Sequence, residues 1–254
     1  DVTVQLDTAG NASITVSDID NGSSDNCAIA SLSLNTTSFS CADVGANTVT
    51  LTAVDSSGNS ASCTATVTVE DNLAPMAICQ DVTVFLDSTG QAFITAADID
   101  NGSNDNCGID TLMVSPMYFF CANIGANGVV LTVTDVNGNV DTCSATVTVL
   151  DTIAPMAICQ DITVQLDTAG RAKLASTDLD GGSSANCGIV STVASDTTFD
   201  CSDIGVNVIT LTVTDSVGNA SSCTANVTVE DTIAPTVVCM DVTVQLVTAG
   251  NASI

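Results

Sequence analysis

The 254-residue chain carries 29 acidic side chains, two basic ones and no histidine, which gives a formal net charge of −27. Nucleic acids and anionic membranes are bound through Lys and Arg, so we expect neither as a partner. Apolar residues make up 45% of the chain, more than a disordered acidic segment carries. No apolar run reaches the roughly 18 residues of a membrane span. The sequence has no signal peptide and no starting methionine, so we expect a folded piece of a longer protein.

An internal repeat dominates the sequence. A shift of 80 residues aligns the chain with itself without gaps and superposes its cysteines, for example Cys27, Cys107 and Cys187. Each new copy starts with a linker containing Ala-Pro, and proline marks the start of a new element rather than the middle of a strand. We predict two complete repeats, a first repeat without its linker, and the first strand of a fourth. Their predicted bounds are 1–70 (repeat 1), 71–150 (repeat 2), 151–230 (repeat 3) and 231–254 (repeat 4).

Each repeat has the pattern of an all-β domain. Segments such as VVLTVTD (129–135) and ATVTVL (145–150) alternate apolar residues with threonine, which is typical of a strand with one buried face. Turn sequences such as DSTG (87–90) and VNGN (136–139) separate them. About seven short strands in each repeat predict a tandem array of small immunoglobulin-like β-sandwiches. A domain of this size buries little surface, so we expect disulfides or a metal to stabilise it.

Four cysteines per repeat in an acidic β-rich chain predict disulfides and an oxidising compartment. Zinc is the weaker alternative because the chain has neither histidine nor a Cys-x-x-Cys pair. Four cysteines allow three pairings. We expect the pairing that suits a sandwich, in which one disulfide joins the starts of the first and last strands and a second closes a short middle loop. The predicted pairs are Cys79–Cys143, Cys159–Cys223, Cys27–Cys41, Cys107–Cys121 and Cys187–Cys201, with the partners of Cys63 and Cys239 outside the sequence.

The acidic loop DIDNGSNDNC (98–107) recurs in all three repeats and predicts a calcium site. Two of its carboxylates stand at alternate positions before a glycine and a third follows it. Ca²⁺ accepts six to eight oxygen ligands at flexible geometry. The alternative is an ordinary polar turn, since turns use the same residues. Clustered carboxylates need a counter-ion, however, and the loop has no Lys or Arg nearby. The aspartates of the linker and of a Asp-x-x-Gly-Asn hairpin are expected at the same end. The candidate ligands are Asp18, Asp20, Asp25, Asp55, Asp71, Asp98, Asp100, Asp105, Asp135, Asp151, Asp178, Asp180 and Asp215.

The third copy of the loop departs from this pattern. Ala185 stands where repeat 2 has Asp105, and Gly181 stands where it has Asn101. A lost carboxylate removes a ligand, so we expect a weaker or differently built site in repeat 3.

Four motifs of the repeat resemble a known family. They are the linker D-x-x-A-P…C (71–79), the D-N-C end of the loop, F-x-C-x-x-(I/V)-G (119–125) and T-D-x-x-G-N…C (134–143). Together they are similar to the HYR-like, hyalin-type immunoglobulin repeats of giant Bacteroidota cell-surface proteins, such as gliding-motility adhesins. The resemblance implies an exported, cell-surface or extracellular array, often calcium-dependent, and supports the Cys79–Cys143 type of pairing. Such bacteria O-glycosylate Asp-(Ser/Thr)-(apolar or Thr) motifs, whose matches here include Thr8, Ser88, Thr168, Thr152 and Thr232.

These features favour a structural role over binding or catalysis. Near-identical repeats suit a stalk or filament of a bacterial surface protein, whose partners would be neighbouring copies or side-by-side arrays. The alternative is an adhesin that binds a glycan through loops or through outward threonine rows, for which simple strand preference is the plainer explanation. These threonines are Thr132, Thr134, Thr146 and Thr148. An enzyme is not expected, because acid–base and triad chemistry lack a histidine and a paired acid in a cleft.

Overall fold

The computed structural model describes residues 1–246, 248 and 249. It contains two compact units, Asp1–Thr152 and Ile153–Ile254. The first unit holds repeats 1 and 2, and the second holds repeat 3. The predicted all-β class is confirmed, since each of these repeats forms the same set of strands.

Each repeat has six strands. In repeat 1 they are β1 (Val2–Gln5), β2 (Asn11–Ser13), β3 (Ile29–Leu34), β4 (Ser38–Ser40), β5 (Gly45–Asp55) and β6 (Ser60–Glu70). In repeat 2 they are β7 (Val82–Phe85), β8 (Gln91–Phe93), β9 (Ile109–Ser115), β10 (Tyr118–Phe120), β11 (Gly125–Asp135) and β12 (Val140–Leu150). In repeat 3 they are β13 (Ile162–Gln165), β14 (Arg171–Lys173), β15 (Ile189–Ala194), β16 (Thr198–Asp200), β17 (Gly205–Asp215) and β18 (Ala220–Glu230).

The strands of each repeat form a four-stranded and a two-stranded sheet. In repeat 1 the larger sheet has the order β1-β6-β5-β3 and the smaller one pairs β2 with β4. The first strand runs parallel to the last, while the other pairs are antiparallel. Repeats 2 and 3 repeat this topology with the corresponding strands.

Short helical turns replace the seventh strand that we predicted. They are α1 (Val16–Ile19), α2 (Ala96–Ile99) and the 3₁₀ turns Ser176–Leu179, Cys41–Asp43, Cys121–Asn123 and Cys201–Asp203. The first turn of each repeat overlaps the first two residues of the acidic loop, and in repeats 2 and 3 it ends in the buried Ile99 or Leu179. A single turn is too short to show helical periodicity, so the prediction of a purely β repeat missed it.

The core of each repeat lies between its two sheets. The strands alternate as predicted, so that Val129, Leu131 and Val133 of β11 are buried while the residues between them face outward. One phenylalanine of the smaller sheet completes each core: Phe39, Phe119 and Phe199. The outward threonines named above, on β11 and β12, are partly exposed.

The strand predicted at the start of repeat 4 is not formed. Residues 231–246 contain no strand, and Val247 and the residues from 250 onward lie outside the described part of the chain. In repeats 1 to 3 the first strand pairs with the last strand of the same repeat.

Candidate metal centre

The acidic loop of repeat 2 starts with an aspartate that caps a helix. The carboxylate of Asp98 accepts hydrogen bonds from the backbone nitrogen and the hydroxyl of Thr95, both at 2.7 Å. These bonds stabilise the ionised form and hold the pKa of Asp98 below its ordinary value. Asp18 caps α1 through Thr15 in the same way, and Asp178 accepts from the backbone nitrogen of Ala175. These three aspartates therefore support the local backbone.

The second aspartate of the loop holds the turn at its glycine. Asp100 accepts from the backbone nitrogen of Ser103 at 2.9 Å, and bonds from Ser103 lower the pKa of Asp100. Asp20 and Asp180 accept in the same way from the serine three residues later. In repeat 2 the loop is also pinned to its linker by backbone bridges from Met76 to Asn104 and from Cys79 to Asp100.

Three aspartates of the first unit meet where repeat 2 begins. Asp71 directly follows β6, Asp105 lies near the end of the acidic loop, and Asp135 is the last residue of β11. One carboxylate oxygen from each lies within 4.8 Å of the other two. Asp71 and Asp135 are 6% and 1% exposed, and Asp105 is partly buried. We call these three residues the acidic cluster.

Backbone and amide donors hold two members of the acidic cluster in place. Asp135 accepts from the backbone nitrogens of Asn137 and Asn139 at 2.8 Å and from the side-chain amide of Asn139 at 2.7 Å. Asp105 accepts from the backbone nitrogens of Cys107 and Gly108 at 2.8 and 3.1 Å. The positions of both carboxylates are therefore set before any ligand binds.

Asp71 is less completely satisfied. Its Oδ1 accepts from the backbone nitrogen of Leu73 at 3.2 Å and from the Asn106 amide at 3.3 Å. Its Oδ2 is buried without a hydrogen-bond partner, and so is the Oδ1 of Asn106. A buried carboxylate oxygen without a donor is costly, and such atoms in native proteins commonly mark a missing ion or water.

The donor set of the acidic cluster fits a hard divalent cation. All of its atoms are oxygens, which suit Ca²⁺ rather than zinc or copper. Two unit charges within 4.8 Å of each other repel by roughly 3 kcal/mol or more at an effective dielectric constant of about 20. The only basic side chains of the chain, Arg171 and Lys173, lie outside repeat 2. Repeat 2 itself therefore supplies no Lys or Arg to neutralise the cluster.

The remaining candidate ligands lie apart from the acidic cluster. In repeat 1, Asp25 is exposed and bonds to backbone nitrogens of its own loop, while Asp55 accepts from Ser57 and Asn59. Within residues 1–246, no third acid or thiol joins these two within 4.8 Å. In repeat 3, Asp215 is buried as Asp135 is, but Ala185 supplies no carboxylate. Asp151 is buried directly after β12.

Sequence reasoning missed one residue of this site. Asn106 offers the cluster a buried oxygen and also donates to the backbone oxygen of Asp7 in repeat 1, at 3.2 Å. The D-N-C motif contained it, but the motif directed attention to the aspartate and the cysteine. An asparagine between a carboxylate and a half-cystine was the available signal.

Two of the predicted disulfides are confirmed, and three are wrong. Cys79–Cys143 and Cys159–Cys223 form within repeats 2 and 3. Cys107 instead pairs with Cys41 of repeat 1, with a Cα separation of 5.3 Å. This excludes Cys27–Cys41 and Cys107–Cys121. Cys201 is free, so Cys187–Cys201 is excluded too, and Cys27, Cys63 and Cys239 are also free, as expected for the last two.

Strand length explains why the short-loop pairings fail. Cys121 precedes the start of β11 at Gly125, whereas Cys107 precedes β9, whose Ile109 pairs with Asp135 at the far end of β11. Eleven residues of strand span roughly 35 Å, while a disulfide needs Cα atoms within about 7 Å. The two cysteines therefore lie at opposite ends of one repeat, and Cys107 lies at the end that meets repeat 1.

Gly10 allows the disulfide between repeats 1 and 2 to pack closely. It has a φ of +74°, and a Cβ there would lie 2.7 Å from Cys41 Sγ and 3.0 Å from the backbone oxygen of Asn106. Only glycine fits both the left-handed backbone and this approach. The turn of repeat 1, the disulfide and Asn106 thus form one packed junction.

The possible glycosylation sites remain predictions. Thr8, Ser88 and Thr168 lie in turns, and Thr152 and Thr232 lie outside the strands, all with exposed side chains. Within the described residues, no helix is long and apolar enough to cross a membrane. The disulfides fit an oxidising, extracellular environment.

Known structures resemble the chain only distantly. The I-band fragment from titin is 13% identical with a TM-score of 0.39, and the match covers 90% of this chain and 96% of that one. Extracellular cadherin domains of protocadherin gamma B7 are 12% identical with a TM-score of 0.32, covering 91% and 75%. Drosophila N-cadherin is 12% identical with a TM-score of 0.33, covering 73% and 57%. These TM-scores carry no inference about function.

The sequence comparisons bear on repeat 1. No curated protein matches the chain significantly. Residues 1–69 match the model of the HYR domain family. Repeats 2 and 3 share the strand topology of repeat 1. Repeat 1 is therefore similar to an HYR domain, which supports the predicted HYR-like, immunoglobulin-like repeat.

Proposed function

We propose that the chain is a structural extracellular array, part of a stalk or filament of a bacterial surface protein, stiffened by disulfides and bound calcium. The observation that carries this proposal is the acidic cluster, which lies beside the Cys41–Cys107 disulfide where repeat 1 passes into repeat 2. A single bond between domains leaves them free to rotate. A disulfide and a cation at one junction restrain that motion at separate points.

The residues that would hold the cation come from three segments of the chain. Asp71 belongs to the linker, Asp105 to the acidic loop and Asp135 to the β11–β12 hairpin, and Asn106 Oδ1 is a further buried oxygen. Calcium would supply the positive charge that the cluster lacks. Because Asp71 immediately follows the last strand of repeat 1, its fixation limits the freedom of the linker.

An adhesin role through the threonine rows has weaker support. Thr132 and Thr134 on β11, and Thr146 and Thr148 on β12, sit on the outer face of a sheet where β-branched residues are preferred for strand stability alone. Repetition of one unit also suits a protein that provides length and stiffness better than one that recognises a specific ligand.

The test is the thermal unfolding of the disulfide-intact chain in excess Ca²⁺ and in EDTA. We expect a higher Tm in Ca²⁺ that EDTA abolishes and that added Ca²⁺ restores. Asp105→Ala should remove most of this shift, and repeat 3, which has Ala185 at that position, shows that the fold tolerates the substitution.

The matched control is Asp110→Asn. Asp110 is exposed on β9 outside the acidic cluster, so this variant changes the same net charge but should keep the calcium shift. Equal Tm values in Ca²⁺ and EDTA for the unmodified chain would show that disulfides alone fix the junction.

A further inference from the structure

The outward residues of the smaller sheet differ in chemistry from one repeat to the next. Its two strands pair in the same register in every repeat, so the outward positions can be compared directly. Repeat 1 has Asn11, Ser13, Ser38 and Ser40; repeat 2 has Gln91, Phe93, Tyr118 and Phe120; repeat 3 has Arg171, Lys173, Thr198 and Asp200. A polar surface thus becomes aromatic in one repeat and basic in the next.

Repeat 2 exposes an aromatic face that a lone domain does not need. Phe93, Tyr118 and Phe120 are 67%, 62% and 50% exposed, and Phe93 pairs directly with Tyr118 across the strands. With the exposed Phe85 of β7, they are all of the aromatic residues outside the three core phenylalanines. Contiguous exposed aromatic residues commonly mark an interaction surface.

Repeat 3 carries both basic side chains of the whole sequence on the equivalent face. Arg171 and Lys173 are two residues apart on β14, so they project to the same side, and both are exposed. Asp200 is the cross-strand neighbour of Arg171, but its carboxylate is held by the backbone nitrogen and hydroxyl of Ser202. An arginine beside a carboxylate can still present its planar face to an aromatic ring.

We propose that the aromatic face of repeat 2 in one copy of the chain docks on the basic face of repeat 3 in a second copy. Arg171 and Lys173 lie about 7 Å apart along their strand, as do the rings of Tyr118 and Phe120 along theirs. Cations over aromatic rings attract, and the aliphatic stems of both basic side chains cover apolar surface. This contact does not depend on the cation site.

The two basic side chains favour a second copy of the chain as the occupant. Arg171 and Lys173 are the only Lys and Arg of the sequence and share one face, so a second copy can present both cations together to the aromatic rings. Salt screens the long-range repulsion between copies within about 8 Å, whereas contacts between rings and cations act at shorter range. The two faces lie on different repeats, so the contact is heterologous. A dimer therefore keeps one free aromatic face on one copy and one free basic face on the other. It would therefore extend into staggered side-by-side arrays.

The test uses the residues that repeat 1 carries at the same positions. The aromatic-face variant is Phe93→Ser, Tyr118→Ser and Phe120→Ser, and the basic-face variant is Arg171→Asn and Lys173→Ser. Sedimentation of the whole chain up to about 1 mM should show self-association of the unmodified protein. In either variant the Kd of self-association should rise at least about tenfold. Thermal melts should match those of the unmodified chain, because repeat 1 folds with these residues.

Mixing the two variants distinguishes this contact from non-specific association. Each variant keeps one complementary face, so the mixture should form a dimer that neither variant forms alone, without larger species. A chain that stays monomeric up to the same concentration would overturn the proposal. So would association that both variants retain. Binding of a neutral oligosaccharide to the aromatic face of a monomeric chain would also overturn it, in favour of a glycan partner.

Discussion

The acidic loops of repeats 1 and 2 have nearly the same sequence but different surroundings. Residues 18–27 and 98–107 differ only at Ser24 and Asn104. Their internal hydrogen bonds also agree: each first aspartate caps a helical turn, and each second aspartate bonds to a serine. Local sequence therefore sets the loop conformation.

The neighbours of the loop decide whether it forms a site. In repeat 2 the linker bridges to the loop, Asp71 joins Asp105 and Asp135, and Cys107 pairs with Cys41. In repeat 1 Asp25 is exposed and Cys27 is free. In repeat 2 the acidic cluster therefore draws on the linker and the hairpin as well as on the loop.

Removal of the Cys41–Cys107 disulfide should have the largest effect. The double substitution Cys41→Ser and Cys107→Ser opens a link between residues 66 apart, which the chain-entropy model values at about 4 kcal/mol. Urea unfolding should show this loss in the free energy of unfolding. The matched control is Cys27→Ser in the free cysteine of repeat 1, and a similar loss there would contradict the distinction between the two loops.

The effect of Asp71→Asn on the free energy of unfolding should depend on whether Ca²⁺ is present. In saturating Ca²⁺ we expect a loss of about 2 to 3 kcal/mol, the linkage contribution of a ligand present near a hundredfold above its Kd. In EDTA the variant should be as stable as the unmodified chain or more so, because one of the clustered charges is gone. Chemical unfolding in both buffers measures the two values. A loss of equal size in both would assign Asp71 a purely structural role.

Asp98→Ala and Asp18→Ala should cost the same moderate amount. Each removes a carboxylate that caps its helical turn by accepting from Thr15 or Thr95, so each should lower Tm by a similar, moderate amount. Neither should alter the difference in Tm between Ca²⁺ and EDTA. A calcium shift reduced by Asp98→Ala alone would extend the cation site into the first half of the loop.

Acid should destabilise both loops alike and by the smallest amount per residue. Hydrogen bonds from serine lower the pKa of Asp20 and of Asp100 below the ordinary value of 3.8. The unfolded chain then binds protons at a higher pH than the folded chain does. This stability is fully present above pH 3.8 and is lost as the pH falls through the folded-state pKa.

The pH effect can be followed by Tm in EDTA between pH 7 and about pH 2. We expect little change in Tm down to about pH 4 and a fall below it, which Asp20→Asn and Asp100→Asn should each reduce to a similar extent. A fall that only Asp100→Asn reduces would mean that burial, and not the local turn, governs the effect.

The sequence predicted the parts of the molecule that depend on short-range patterns. Alternation along residues 129–135 gave the buried face of β11, and the Asp-x-x-Gly-Asn motif placed Asp135 in a hairpin. Asp71, Asp105 and Asp135 were predicted at one end because a linker, a loop and a hairpin converge there. The pairing of Cys79 with Cys143 followed from the same reasoning about strand ends.

The sequence alone determined the repeat, the strand class and the acidic composition, because each follows from patterns within a few residues or from an exact shift of 80. Only the tertiary structure decided that Cys107 reaches Cys41 and that Asp98 and Asp100 serve their own backbone. It also showed that Phe93 and Tyr118 share one exposed face. These outcomes depend on which loops and repeats lie near each end of an eleven-residue strand. The spacing of residues along the chain does not specify their distance in space.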